Sequence, residues 1–82
     1  MRIPKLFADF HNSDEQGRIR LKCDGTFADL KKMNLELKEG MQVFLDDDDE
    51  LTTIGLVKYS EEEKIWVAEI DWDNIIIKDN PT

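Results

Sequence analysis

The strongest constraint on this chain is the period of its apolar residues: over most of its length they recur at every second position, in short runs that each end in a polar turn. Side chains alternating in this way point to opposite faces of an extended strand, so one face is offered to a core and the other to water. "KLFADFHN" sets Leu6, Ala8 and Phe10 against Phe7, Asp9 and His11, and "RIRLKC" sets Ile19, Leu21 and Cys23 against Arg18, Arg20 and Lys22. The intervening "NSDEQG" is dense in turn formers and ends in glycine, which reads as a hairpin. Simple pairing would put Phe10 opposite Ile19, and Asp9 opposite Arg20 as an outward ion pair.

The period changes in "DGTFADLKKMN". Thr26 is placed to cap a helix through its hydroxyl, and Asp29 lies in the first turn, where the helix dipole favours negative charge. Phe27, Leu30 and Met33 follow at three-residue steps as an apolar face, and Asn34 can close the helix in a left-handed conformation. Two turns of helix are stable only when packed on something else.

After "LELKEG" the period of two returns: Met41, Val43 and Leu45 share a face, and the acidic run Asp46–Glu50 interrupts. "LTTIGLVKY" is the next strand, with Gly55 inside it, a position that suits a bend or a close neighbour. Past the polar turn "SEEEK", "IWVAEIDW" places Trp66, Ala68, Ile70 and Trp72 on one face. "IIIK" is a last short strand, and "DNPT" is expected to fray. Short strands joined by tight turns favour a twisted sheet that closes on itself, because an open one exposes a face and two edges. The expected fold is mainly β: a small, partly open antiparallel barrel of five to six strands, with one short helix between strands 2 and 3 plugging an end. The series "LKEGMQVFL…IGLVKY…KIWVAEIDW" resembles SH3-like barrels in rhythm: a glycine before a strand, a glycine within the next, then a tryptophan-bearing strand. The resemblance covers about half the chain and implies architecture without function, since such barrels bind many different things.

Eighty-two residues make a single domain spanning 1–82, because half of so short a chain cannot build a core of its own. No run reaches the ~18 apolar residues of a membrane helix, and "MRIPKLFADF" lacks the apolar centre of a signal peptide. One cysteine cannot form an internal disulfide, so a cytoplasmic protein is expected. The net charge of −8 is uneven: residues 1–40 carry eight Lys/Arg against seven Asp/Glu, and residues 41–82 three against twelve. Such a split gives the domain an electrostatic polarity that can orient a partner.

Three uses of Asp46, Asp47, Asp48, Asp49 and Glu50 are open: a cation site, a phosphate-like surface, or a solvated hairpin tip. A calcium loop counted from Asp46 needs glycine at its sixth position and glutamate at its twelfth, where this chain has Leu51 and Val57. Weak divalent binding is therefore not favoured. Phosphate mimicry needs many carboxylates along one face, so this run and "SEEEK" would have to lie at the same end. The solvated tip is preferred, since charge there also discourages edge-to-edge strand pairing. Arg18, Arg20 and Lys22 form a basic stripe, read as structural or salt-paired rather than as a nucleic-acid surface; meeting the acidic half of a second copy is its alternative use. His11 and Cys23 fall at opposite ends of the expected hairpin, and the two together are too few for zinc. Cys23 reads as a small buried apolar residue.

Trp66 reads as core; Trp72 suits either core or a shallow groove, with Tyr59 and Phe44 as companions. Phe7, Phe44 and Val67 point outward, to be covered by the helix and a further strand or left as a patch for a partner. There is no glycine-rich phosphate loop and no serine or cysteine with a plausible base, so neither catalysis nor a cofactor is expected. The expected role is a non-catalytic module for protein–protein interaction, as adaptor or subunit. Trp72, Tyr59 and Phe44 would supply apolar contact and Asp46–Glu50 a charged rim. An acidic regulator that blocks a basic nucleic-acid-binding surface is the alternative.

Overall fold

The computed structural model describes residues 3–77. Strands β1 (Lys5–Phe7), β2 (Ile19–Arg20), β3 (Gln42–Asp46), β4 (Leu51–Ser60), β5 (Ile65–Glu69) and β6 (Ile76–Ile77) build one sheet, with helix α1 (Asp24–Met33) between β2 and β3. A single turn of 3-10 helix, Trp72–Asn74, joins β5 to β6. The "DNPT" segment expected to fray lies outside the described residues.

The sheet is organised around β4. Its first half pairs with β3 (Thr52 to Leu56), its second half with β5 (Leu56 to Ser60), and its start also pairs with β6. The strand order β1-β3-β4-β5-β2 curls into a half-barrel, so the fold is the mainly β, partly open barrel expected, with the helix between the expected strands. Gly55 sits just before β3 and β5 exchange places along β4. A Cβ there would lie 3.0 Å from the Ala68 Cβ and 3.1 Å from Leu45 Cδ1. The glycine lets neighbouring strands approach closely at the curl.

One pairing differs from expectation. β1 does not form a hairpin with β2; it pairs in parallel with β3, and β2 pairs antiparallel with β5. The link between the first two segments is one bridge, Ser13 to Ile19, in place of Phe10 to Ile19. The cause is local. The Asp9 carboxylate accepts the His11 N–H at 2.9 Å, and the Asn12 N–H reaches the Asp9 carbonyl at 3.0 Å. An aspartate turn of this kind competes with extended backbone, and it ends β1 at Phe7 although the alternation runs on to Phe10 and His11.

Most inward positions nonetheless hold; Cys23, expected to be buried, and Trp72 are the exceptions. Leu6, Ala8, Phe10, Ile19, Leu21, Val43, Leu45, Val57 and Ala68 form one buried cluster, with Trp66, Ile70, Met41 and Leu30 packed at its margin. Cys23 is half-buried, its Sγ 3.0 Å from Thr26 Oγ1.

Helix α1 starts before Thr26, with Cys23 at its N-cap and no side-chain cap there. Thr26 instead is fully buried and donates its hydroxyl to the Phe7 carbonyl at 2.6 Å, while Asp29 accepts the Phe7 N–H at 2.7 Å. Neighbouring residues of β1 bond to β3, since Phe44 N–H reaches the Pro4 carbonyl and Ala8 N–H the Asp46 carbonyl. The Phe7 amide faces the other way, and α1 supplies two side chains where a further strand would supply backbone. The helix therefore lies along the free edge of β1 rather than plugging an end. Its inward residues are Thr26, Asp29 and Leu30; Phe27 is 53% exposed and Met33 41%. The expected Phe27–Leu30–Met33 face is wrong for that reason. Asn34 closes the helix with φ 51°, as expected.

Two substitutions test this docking. A Cβ on Gly25 would lie 2.5 Å from the Phe7 ring, so Gly25→Ala should lower unfolding free energy by about 1–3 kcal/mol by overpacking, despite alanine's better helix propensity. Thr26→Val keeps the shape and removes the donor to Phe7; denaturant unfolding should show a loss of about 1–3 kcal/mol.

Candidate functional site

The acidic run closes the β3–β4 hairpin, and its first two members are structural. Asp47 Oδ1 accepts the backbone N–H groups of Asp49, Glu50 and Leu51 at 2.9–3.0 Å. Asp46 Oδ1 accepts the Asp48 N–H at 2.7 Å, which helps hold Asp48 in its left-handed conformation at φ 61°. Asp46 is 7% exposed, so it is no part of a solvated tip. The run is uniform in charge but not in amide capping, which only the turn geometry reveals. Asp48, Asp49 and Glu50 do extend into water.

The second acidic turn, Glu61–Lys64, lies at the opposite end of β4, ten residues long; at ~3.3 Å per residue the strand spans at most about 30 Å between the two tips. Glu63 is also engaged: it accepts from Arg20 through both carboxylate oxygens, at 2.7 and 2.8 Å, and Arg20 reaches Asn12 Oδ1 as well. The expected Asp9–Arg20 pair does not form, because the turn at Asp9 directs that carboxylate to His11. Arg18 is paired with Asp14 at 2.8 Å. The two arginines of the basic stripe are thus neutralised within the chain.

The apolar residues named from sequence do not share a groove. Tyr59 lies opposite Trp66 near the end of β4, and the rings meet edge to face with centroids 5.1 Å apart. Trp72 lies past the other end of β5 and donates its indole N–H to the Gly17 carbonyl at 2.7 Å. A Cβ on Gly17 would be 3.2 Å from that indole nitrogen, so Trp72 presses on the Asp14–Arg18 turn, although 46% exposed. Phe44 is on the outer face of β3. Of the expected outward apolar residues, Phe7 is half-covered by α1, Val67 is fully buried, and Phe44 remains 38% exposed.

Phe44 has companions that the sequence reading missed. It pairs with Ile54, 44% exposed, and Ile76, 61% exposed, pairs with Thr52 two residues along β4. Paired residues and those two apart share a face, so Phe44, Ile54 and Ile76 form one outer patch next to the Asp48–Glu50 tip. Folding the hairpin about Asp47–Glu50 on paper would have brought Phe44 against Ile54; Ile76 depends on a non-local pairing.

Among the described residues there is no pocket, no group of three His, Cys, Asp or Glu placed to hold a metal ion, and no helix long and apolar enough to cross a membrane. Fold and surface define a small, curled β-domain whose outstanding feature is an apolar sheet face beside an acidic turn. No protein-family model, curated protein or solved structure matches the chain.

Acid should loosen this domain in a way its ion pairs predict. Burial raises the Asp14 pKa, but hydrogen bonds from the Arg18 N–H and guanidinium and the Gln16 N–H outweigh it and leave the carboxyl below its ordinary value. The Arg20 hydrogen bonds likewise lower Glu63. Carboxyls whose folded pKa is depressed stabilise fully above their unfolded pKa, about 4, and lose that contribution as pH falls through the folded value. The melting temperature should therefore fall as pH drops below about 4, less steeply in Asp14→Asn than in the parent protein. Equal slopes would contradict the role given to Asp14.

Proposed function

We propose that this domain is a non-catalytic module for protein–protein interaction, acting as an adaptor or a subunit. The observation that carries the reading is the exposed Phe44–Ile54–Ile76 face, which strand register gathers onto one side of the sheet beside an acidic turn. Contiguous exposed apolar residues with a polar border mark interaction surfaces. The acidic-mimic alternative has less support, because its two carboxylate tips lie at opposite ends of β4 and Glu63 is occupied by Arg20.

Affinity capture from the source cell, followed by rebinding of the purified candidate, tests the reading. A partner of fixed stoichiometry should bind the purified domain, and photo-crosslinkers placed in turn at Ile54, Tyr59 and Phe27 should map its contact. Absence of any partner that rebinds in purified form would overturn the proposal.

A further inference from the structure

The outer face of β3, β4 and β6 has a charge layout that specifies what covers it. Along β4 the successive rows read Asp46–Thr52–Ile76, then Lys5–Phe44–Ile54, then Gln42–Leu56–Glu69. The middle of this face is apolar: Phe44, Ile54 and Ile76 are exposed, and Leu56 is half-buried. Beyond the first row stand Asp48, Asp49 and Glu50, all exposed, on a turn whose backbone is held by Asp46 and Asp47. Glu69, also exposed, borders the other end, and Lys5 flanks Phe44 on the β1 side.

Such a surface opposes a two-fold contact with itself, which would bring like-charged turns toward one another or leave them unmatched. It suits a partner with apolar side chains for the centre and a cluster of Lys or Arg for the turn. Apolar contact supplies affinity, and rim charge supplies orientation and association rate. We infer that this face docks a basic, amphipathic segment of another protein, its apolar residues over Phe44, Ile54 and Ile76 and its cationic end over Asp48, Asp49 and Glu50. The inference rests on the reading of the domain as an interaction module and adds the face and the partner's chemistry.

Blocked eight-residue peptides serve as probes: one alternates Leu and Thr and ends in three Lys, a second ends in three Glu, and a third keeps the Lys but replaces Leu with Ser. Backbone-amide NMR of the full chain follows each titration. The first peptide should shift the amides of Phe44, Ile54 and Asp48–Glu50, and bind at least about tenfold more tightly than either control, the equivalent of about 1.4 kcal/mol. Ile54→Ser should remove that advantage, with denaturation confirming the fold; Phe44→Ser repeats the test if the first variant unfolds.

No binding at millimolar peptide, shifts centred elsewhere, or equal binding of the Ser peptide would overturn the inference, the last showing charge attraction without a docking face. So would a dimer in sedimentation that Ile54→Ser dissolves, because a second copy would then cover the face. A captured partner that crosslinks from Tyr59 or Phe27 and not from Ile54 would sink this inference while leaving the interaction module standing.

Discussion

Short strands leave backbone amides without partners, and this domain meets part of that demand with carboxylates. Asp29 takes the Phe7 N–H at the edge of β1, and Glu39 takes the Tyr59 N–H where β3 no longer runs alongside β4. Asp14 holds the amides of Gln16 and Arg18, Asp47 those of Asp49 to Leu51, and Asp71 that of Asp73. Each bond contributes about 0.5–1.5 kcal/mol net, more with a charged partner, and an amide left dry and unpaired costs as much or more. A sheet whose edge strands are two or three residues long cannot satisfy such groups by backbone pairing.

That use of acid changes how the composition reads. An excess of Asp and Glu suggests a charged surface addressed to something else, yet many of these groups point back at their own chain. Arg18 and Arg20 are matched in the same way, one by Asp14 and the other by a fork from Glu63. At the β3–β4 hairpin the division is clear: Asp46 and Asp47 shape the turn, and Asp48, Asp49 and Glu50 are carried outward by it.

Alternation made the core legible. Leu6, Ala8, Phe10, Ile19, Leu21, Val43, Leu45 and Ala68 are buried where a period of two put them, because burial of one strand face is a local property of the pattern. Pairing was less legible. Whether β1 joins β2 or β3 depends on a turn that Asp9 makes with its own backbone, and period counting treats Asp9 only as an outward polar residue. The helix illustrates the same gap: a hydroxyl at Thr26 suits a cap, but a buried edge carbonyl on Phe7 takes it. At the candidate site, Phe44 was found from sequence and Ile54 was within reach of it, whereas Ile76 needed β6 to return to the start of β4.

The outer face also has to be weighed against a purely structural explanation. Phe44 opposite Ile54 is a favourable cross-strand pair, and such pairs add about 0.2–1 kcal/mol to a sheet. Threonine opposite threonine would retain β-propensity without exposing apolar surface, and the chain does place Thr52 and Gln42 at neighbouring outer positions. A domain of this size has no second layer of its own to cover a hydrophobic face; it covered Phe7 with α1 and buried Val67 entirely. Local sheet stability explains why a phenylalanine and an isoleucine are tolerated there. It does not explain why Ile76, on a strand held by two residues, extends the same patch toward the acidic turn, which the proposed docking face would require.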